Sequence, residues 1–212
     1  MNKQLLTTAA LAALTLVSAD AGNVLVANYN PDPLRVLPVV APGTTTLATA
    51  GIAAVGSFSV ADPTSLIANA GTPAGYAALL AEFNQFGSVS VGGDVPGLFG
   101  GDTSRAVSEA ANDPFNAKSI YTIVGNGATL QASTHIAIVR DNDSFGFDNP
   151  TFERTADISD PTSALLFGTS GPGIDTALGM SAASLQLAPI PEPMSAVLFL
   201  GGAALGLRRR RR

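Results

Sequence analysis

The chain has 212 residues, 46% hydrophobic and 13% charged, with 22 glycines, 14 prolines and no cysteine. This composition can fill a core, and it excludes an acidic disordered polymer, a collagen, a long helical bundle, a disulfide framework, a thiol nucleophile and a Cys-ligated metal site. Six of the 11 basic residues are Lys3 and Arg208 to Arg212, so residues 22–191 carry five bases against fourteen acids; that net of −9 repels phosphate backbones and excludes nucleic acid as a partner.

In chain order, the first element is "MNKQLLTTAALAALTLVSADAG". Lys3 supplies a positive start, Leu5 to Val17 an apolar stretch, and Ala19-Asp20-Ala21 small residues at the −3 and −1 positions. The pattern reads as a secretory signal helix handled by the Sec machinery, residues 1–21, cut before Gly22. Cleavage after Ala19 fits the rule nearly as well. The competing reading is a buried N-terminal helix, but a helix apolar all round and ending in A-x-A is seldom needed by a soluble fold.

The body, residues 22–188, is dominated by alternation and turn residues. "NVLVAN" (Asn23 to Asn28), "VGSFSV" (Val55 to Val60), "GSVSV" (Gly87 to Val91), "SIYTIV" (Ser119 to Val124), "THIAIV" (Thr134 to Val139), "ALLF" (Ala164 to Phe167) and "ASLQL" (Ala183 to Leu187) read as strands. Val89/Val91 and Ile136/Ile138 fit strands with one buried face. The expected class is mainly β, an antiparallel two-sheet sandwich of jelly-roll type. One amphipathic helix interrupts it: "TPAGYAALLAEFNQFG" has Thr72 as N-cap, Pro73 at the first helical position, and Tyr76, Leu79, Leu80 and Phe83 on one face. Gly87 is its expected stop, and a sheet edge or rim its expected seat.

Candidate chemistry concentrates in "RDNDSFGFDNPTFE". Asp141, Asp143 and Gly146 mimic the opening of a calcium loop, but Phe145 and Phe152 stand where oxygen ligands are needed. Asp141, Asp143 and Asp148 remain speculative ligands for Ca²⁺ from an irregular loop. The plainer reading is a solvated turn held by Asn and Asp side chains. For a glycosidase pair the aromatic platform is poorly supplied, since aromatics are 6% and there is no Trp. His135 is the one histidine, too few for a His-based zinc site, and "GTSGPG" lacks the spacing of a nucleophile elbow. "GNGATL" and "VGGDVPGLFGGD" match no phosphate-binding pattern and read as turns. No catalytic residue and no cofactor are expected.

The chain ends in "PIPEPMSAVLFLGGAALGLRRRRR". Met194 to Leu207 carries no charge; at about 1.5 Å per residue it spans roughly 21 Å, short of the ~30 Å hydrocarbon core. Arg208, Arg209, Arg210, Arg211 and Arg212 are costly to translocate and act as a cytoplasmic stop, while their stems snorkel to relieve the mismatch. The result is a weak span. Two prolines keep the preceding segment extended and open to a protease, and Glu192 holds it at the outer face.

Pro191, Glu192 and Pro193, the short glycine-containing apolar helix and the terminal arginines together resemble the PEP-CTERM sorting signal, residues 189–212. The resemblance implies export, a transient inner-membrane anchor, and cleavage near the motif by an exosortase, with exopolysaccharide as an associated partner at the cell surface or outside it. "DPFNAKSIYTIVGNGATLQASTHIAIVRDNDSFGF" resembles segments of other PEP-CTERM proteins, whose bodies are β-rich and of unassigned activity. The implied function is a non-enzymatic surface or matrix component. The alternative is a Ca²⁺-assisted carbohydrate- or protein-binding module, and a simple tail anchor is the competing reading of the C-terminus.

Overall fold

The computed structural model describes residues 20–31, 34–107, 112–146, 153–176 and 179–191. The segments expected to form the signal and membrane helices, with Ala19, Asp148, Glu192, Pro193 and the arginine cluster, lie outside these residues. The described residues are mainly β: thirteen strands and two helices. Among them, no helix is long and apolar enough to cross a membrane.

The central sheet contains β4 (Ile52–Phe58), β5 (Phe83–Ser90), β7 (Ser119–Gly125), β8 (His135–Ser144) and β10 (Ala164–Phe167), in the order β10-β8-β7-β4-β5. Every pairing is antiparallel, and β13 (Ala188–Pro189) extends the edge of β8 beyond β10. A second sheet sets β1 (Asp20–Ala27) between β6 (Gly100–Val107) and β9 (Glu153–Asp157). Here β6 is antiparallel but β9 runs parallel to β1, so the expectation of purely antiparallel sheets fails at this pair. Two hairpins complete the fold: β2 (Tyr29–Pro31) with β3 (Leu34–Val36), and β11 (Thr169–Asp175) with β12 (Ser181–Gln186).

The central strands are buried on both faces, which corrects the one-face reading of Ile136/Ile138. Ile136 and Ile138 join Ala54, Phe58, Ile123, Tyr76 and Leu79 in a core between the sheet and the helices. The alternate residues Ala137 and Val139 join Val24, Val26, Val55 and Val124 in a second core, between the two sheets. Alternation within an all-apolar run cannot distinguish one covered face from two. Each buried Leu, Ile or Val contributes about 1.5–3 kcal/mol, so two cores compensate for the absence of disulfides.

Helix α2 (Pro73–Glu82) starts as expected: Thr72 Oγ1 accepts from the Gly75 amide at 3.1 Å, and Pro73 opens the first turn. It lies against the sheet face, not an edge, and Tyr76 donates its hydroxyl to the Leu130 carbonyl at 2.6 Å. That burial raises the Tyr76 pKa far above its ordinary value. The helix ends at Glu82 and not at Gly87, because Phe83 is already extended and pairs with Phe58. Ring contact between Phe58 and Phe83 (5.4 Å) and burial of Phe86 between the sheets draw these residues into β5. Gly87 serves a different purpose: a Cβ there would collide with the Thr103 side chain of β6, so glycine lets the two sheets meet. Helix α1 (Thr64–Ala68), β2, β3, β6, β9, β11 and β13 lack a clear apolar period and are not among the expected elements.

Several boundaries shift. β4 begins three residues before Val55 and ends at Phe58, β5 starts at Phe83, and β12 is offset to Ser181–Gln186. β8 extends through Ser144 and absorbs Asp141 and Asp143 into a strand, which corrects the irregular-loop expectation.

Candidate functional site

Three places on the body are candidates for a functional site. The first is where the chain leaves it. Ala188 and Pro189 pair with Ile136 and His135, the Ile190 amide donates to the Thr134 carbonyl at 2.7 Å, and the Ile190 side chain is buried in the helix-side core. Pro191, the first residue of the Pro-Glu-Pro segment, is exposed. At the other end β1 begins at Asp20, directly after Ala19, and its pairing with β9 begins at Asn23. Cleavage after Ala19 leaves all of β1 in place, whereas cleavage before Gly22 keeps every β1–β9 pair but removes the Asp20–Val107 and Ala21–Ala106 pairs with β6.

The second place gathers acids around an arginine. Asn30 and Arg35 face each other across the β2–β3 hairpin and, with Asp141, Asn142, Asp143, Thr155, Asp157, Asp160 and Thr162, line a hollow of about 360 Å³. Arg35 Nη1 donates to Asp160 Oδ2 at 2.9 Å, and Nη2 lies 3.7 Å from Asp157 Oδ2. Asp157 is 5% exposed; its Oδ1 accepts from the Ser159 amide (2.8 Å) and hydroxyl (2.6 Å). Asp160 Oδ1 accepts in the same way from Thr162, and the Thr162 hydroxyl and amide, then Arg35, lower its pKa.

Asp141 sits at the strand end of this hollow. Its Oδ1 accepts from the Asp143 amide at 2.8 Å, and Ser163 Oγ lies 3.4 Å from its Oδ2. Burial raises its pKa, helped by the nearby charge of Asp143. Phe145, at the fifth position of the mimicked calcium loop, is fully buried against Phe86 and Phe115. Among the described residues no three acidic or histidine side chains converge to hold a metal ion. The guanidinium of Arg35 instead sits between Asp157 and Asp160, where a cation would compete with it. The sequence brought Asp141 and Asp143 to notice. Arg35, Asp157 and Asp160 carried no local signal, because only folding joins them.

The third place is a groove of about 450 Å³ between the end of β5, the start of β6 and the β2 strand, with Tyr29, Val89, Ser90, Asp94, Leu98 and Gly100 among its lining residues. Its floor is the "VGGDVPGLFGG" turn. Gly92 and Gly97 adopt φ of +70° and +75°, and their amides donate to the Leu98 and Ala48 carbonyls. Asn28, just past β1, locks the turn to the residue that follows β3: Nδ2 donates to Leu37 O (3.0 Å) and Gly97 O (2.8 Å), and Oδ1 accepts from the Phe99 amide (2.8 Å).

The remaining sequence candidates lie in a turn and at the start of β8. Asn126 Oδ1 accepts from the amides of Thr134 and His135, closing the "GNGATL" turn. His135 Nδ1 lies 3.0 Å from Thr134 Oγ1. No protein-family model, curated protein or solved structure matches the chain.

Proposed function

We propose that this is an exported protein of the cell surface or extracellular matrix, held transiently in the inner membrane and cut by an exosortase-type protease near Pro191-Glu192-Pro193. In this reading the Sec machinery removes the N-terminal signal, and the acidic body has no catalytic activity of its own and associates with exopolysaccharide. The body is a jelly-roll-like sandwich of the three-stranded sheet over the central sheet, with the helices backing it.

The observation that supports this is the junction at Ile190. The last described backbone pairing ends one residue before the motif, so a protease acting after Pro191 leaves every described member of the two cores in the body. Two prolines with no amide donors around Glu192 suit a segment read in extended form.

The test is intact-mass analysis of protein recovered from the medium and surface of its native host. The expected species starts at Asp20 or Gly22 and lacks Arg208 to Arg212. Recovery of the complete arginine end would replace this reading with a permanently membrane-fixed protein.

A Ca²⁺-assisted binding module is the second reading, favoured by the gathering of Asp141, Asp143, Asp157 and Asp160 around one hollow. Arg35 counts against it, since it already neutralises part of that charge. A rise in melting temperature at millimolar Ca²⁺ would revive it, because a ligand of the native state raises stability by mass action.

A further inference from the structure

We propose that the Tyr29 groove binds a neutral, β-linked hexopyranoside chain, with the Tyr29 ring as platform and Asp94 and Ser90 as partners for sugar hydroxyls. This deepens the surface-protein reading by naming a ligand class and a site, and it stands or falls separately from processing at the tail.

The ring is placed for the purpose. A Cβ on Gly100 would lie 2.9 Å from Tyr29 Cε1, 3.2 Å from its hydroxyl oxygen and 3.4 Å from Cζ, and these are its three nearest neighbours. Glycine at 100 therefore lets the ring rest against bare backbone, while 39% of Tyr29 stays exposed. Tyr76 and Tyr121, at 6% and 7%, are core residues. Tyr29 is the exposed tyrosine, and it borders a concave surface.

The walls select the ligand. Val89, Val95 and Leu98 give apolar contact, and Asp94 and Ser90 give exposed polar groups on the same groove. A β-linked pyranose presents this mixture, with axial C–H groups on its faces and hydroxyls around its rim. An aromatic face carries negative potential that attracts polarised C–H groups. Phosphorylated or uronic chains are disfavoured by Asp94 and by the net charge of −9 on the body. β5 and β6 are each the edge strand of their sheet, so an added peptide strand is the rival occupant, and it would bind through backbone groups indifferent to Tyr29→Ala.

The test uses the intact chain in a zwitterionic detergent without a sugar headgroup, titrated with cellohexaose. The chain has three tyrosines and no tryptophan, so tyrosine fluorescence reports on Tyr29 above two buried rings. A saturable change is expected. Affinity measured by calorimetry should fall about tenfold or more in Tyr29→Ala and stay within about threefold in Tyr29→Phe. Gly100→Ala is the sharper variant: it should displace the ring and weaken binding while the melting temperature holds. The proposal is overturned if the wild type shows no saturable signal up to about 10 mM, if Gly100→Ala binds as the wild type does, or if Tyr29 is covered instead by a second copy in a concentration-dependent dimer.

Discussion

The Ile190 amide hydrogen-bonds the Thr134 carbonyl at 2.7 Å, one residue before the Pro-Glu-Pro motif begins. That bond, with the Ala188 and Pro189 pairing, covers the edge of β8 that β10 leaves open. A chain ending at Pro191 should melt at the temperature of the longer protein. Ending it at Leu187 strips a buried isoleucine and bares the β8 edge, at a cost of about 2–3 kcal/mol. Equal melting temperatures for the two truncations would show that β13 is not part of the cooperative unit.

Asn28 makes three hydrogen bonds at a fully buried position, linking β1 to residues 37, 97 and 99. Asn28→Ala leaves two carbonyls and one amide without these partners. A loss of about 2–4 kcal/mol in denaturant unfolding is expected. Asn28→Asp keeps the acceptor but turns both donors into repulsion, so it should be at least as damaging. A change under about 0.5 kcal/mol would mean water replaces the side chain.

Thr122 presents the opposite case. Its hydroxyl is buried in β7 with no hydrogen-bond partner, and its register neighbours are Val55 and Val139. Thr122→Val keeps the shape and removes the orphaned group, so stability should rise by about 1 kcal/mol. Thermal melts at one pH suffice to check this. A destabilised valine variant would point to a partner for the hydroxyl in solution.

Asp141 gives a pH dependence. Burial raises its folded pKa above the usual carboxylate value, so the folded state holds the proton more tightly than the unfolded state. Its adverse contribution is absent below the ordinary Asp pKa, grows as pH rises toward the folded pKa, and is complete above it. Asp141→Asn should therefore melt higher than the parent at pH 7, with the difference shrinking toward pH 3. The amide can still accept from Asp143 N–H. A variant that melts lower at pH 7 would show that the Asp143 and Ser163 contacts outweigh the burial cost.

Local signals located much of this molecule. Thr72 and Pro73 open α2 where cap chemistry places them, and "ALLF" is a strand from Ala164 to Phe167. Ser119 to Val124 also reads correctly, because β-branched residues between turn formers specify an extended chain with few alternatives. The two chain ends declare their export and sorting expectations through charge, length and small residues, which need no fold to be read.

Other features depend on partners distant in sequence. Phe83 to Phe86 continue a helical pattern, yet Phe58 and the space between the sheets draw them into β5. The "GGDTSRAV" segment has no strand signal of its own and becomes β6 by pairing with all eight residues of β1. Arg35 meets Asp160 across 125 positions, and the Tyr29 ring comes to lie against Gly100 of β6. Short-range periodicity records what one segment prefers by itself. Which face is covered, which acids share a cation and where a ring rests are set by long-range pairing, whose energy appears only after the chain closes on itself.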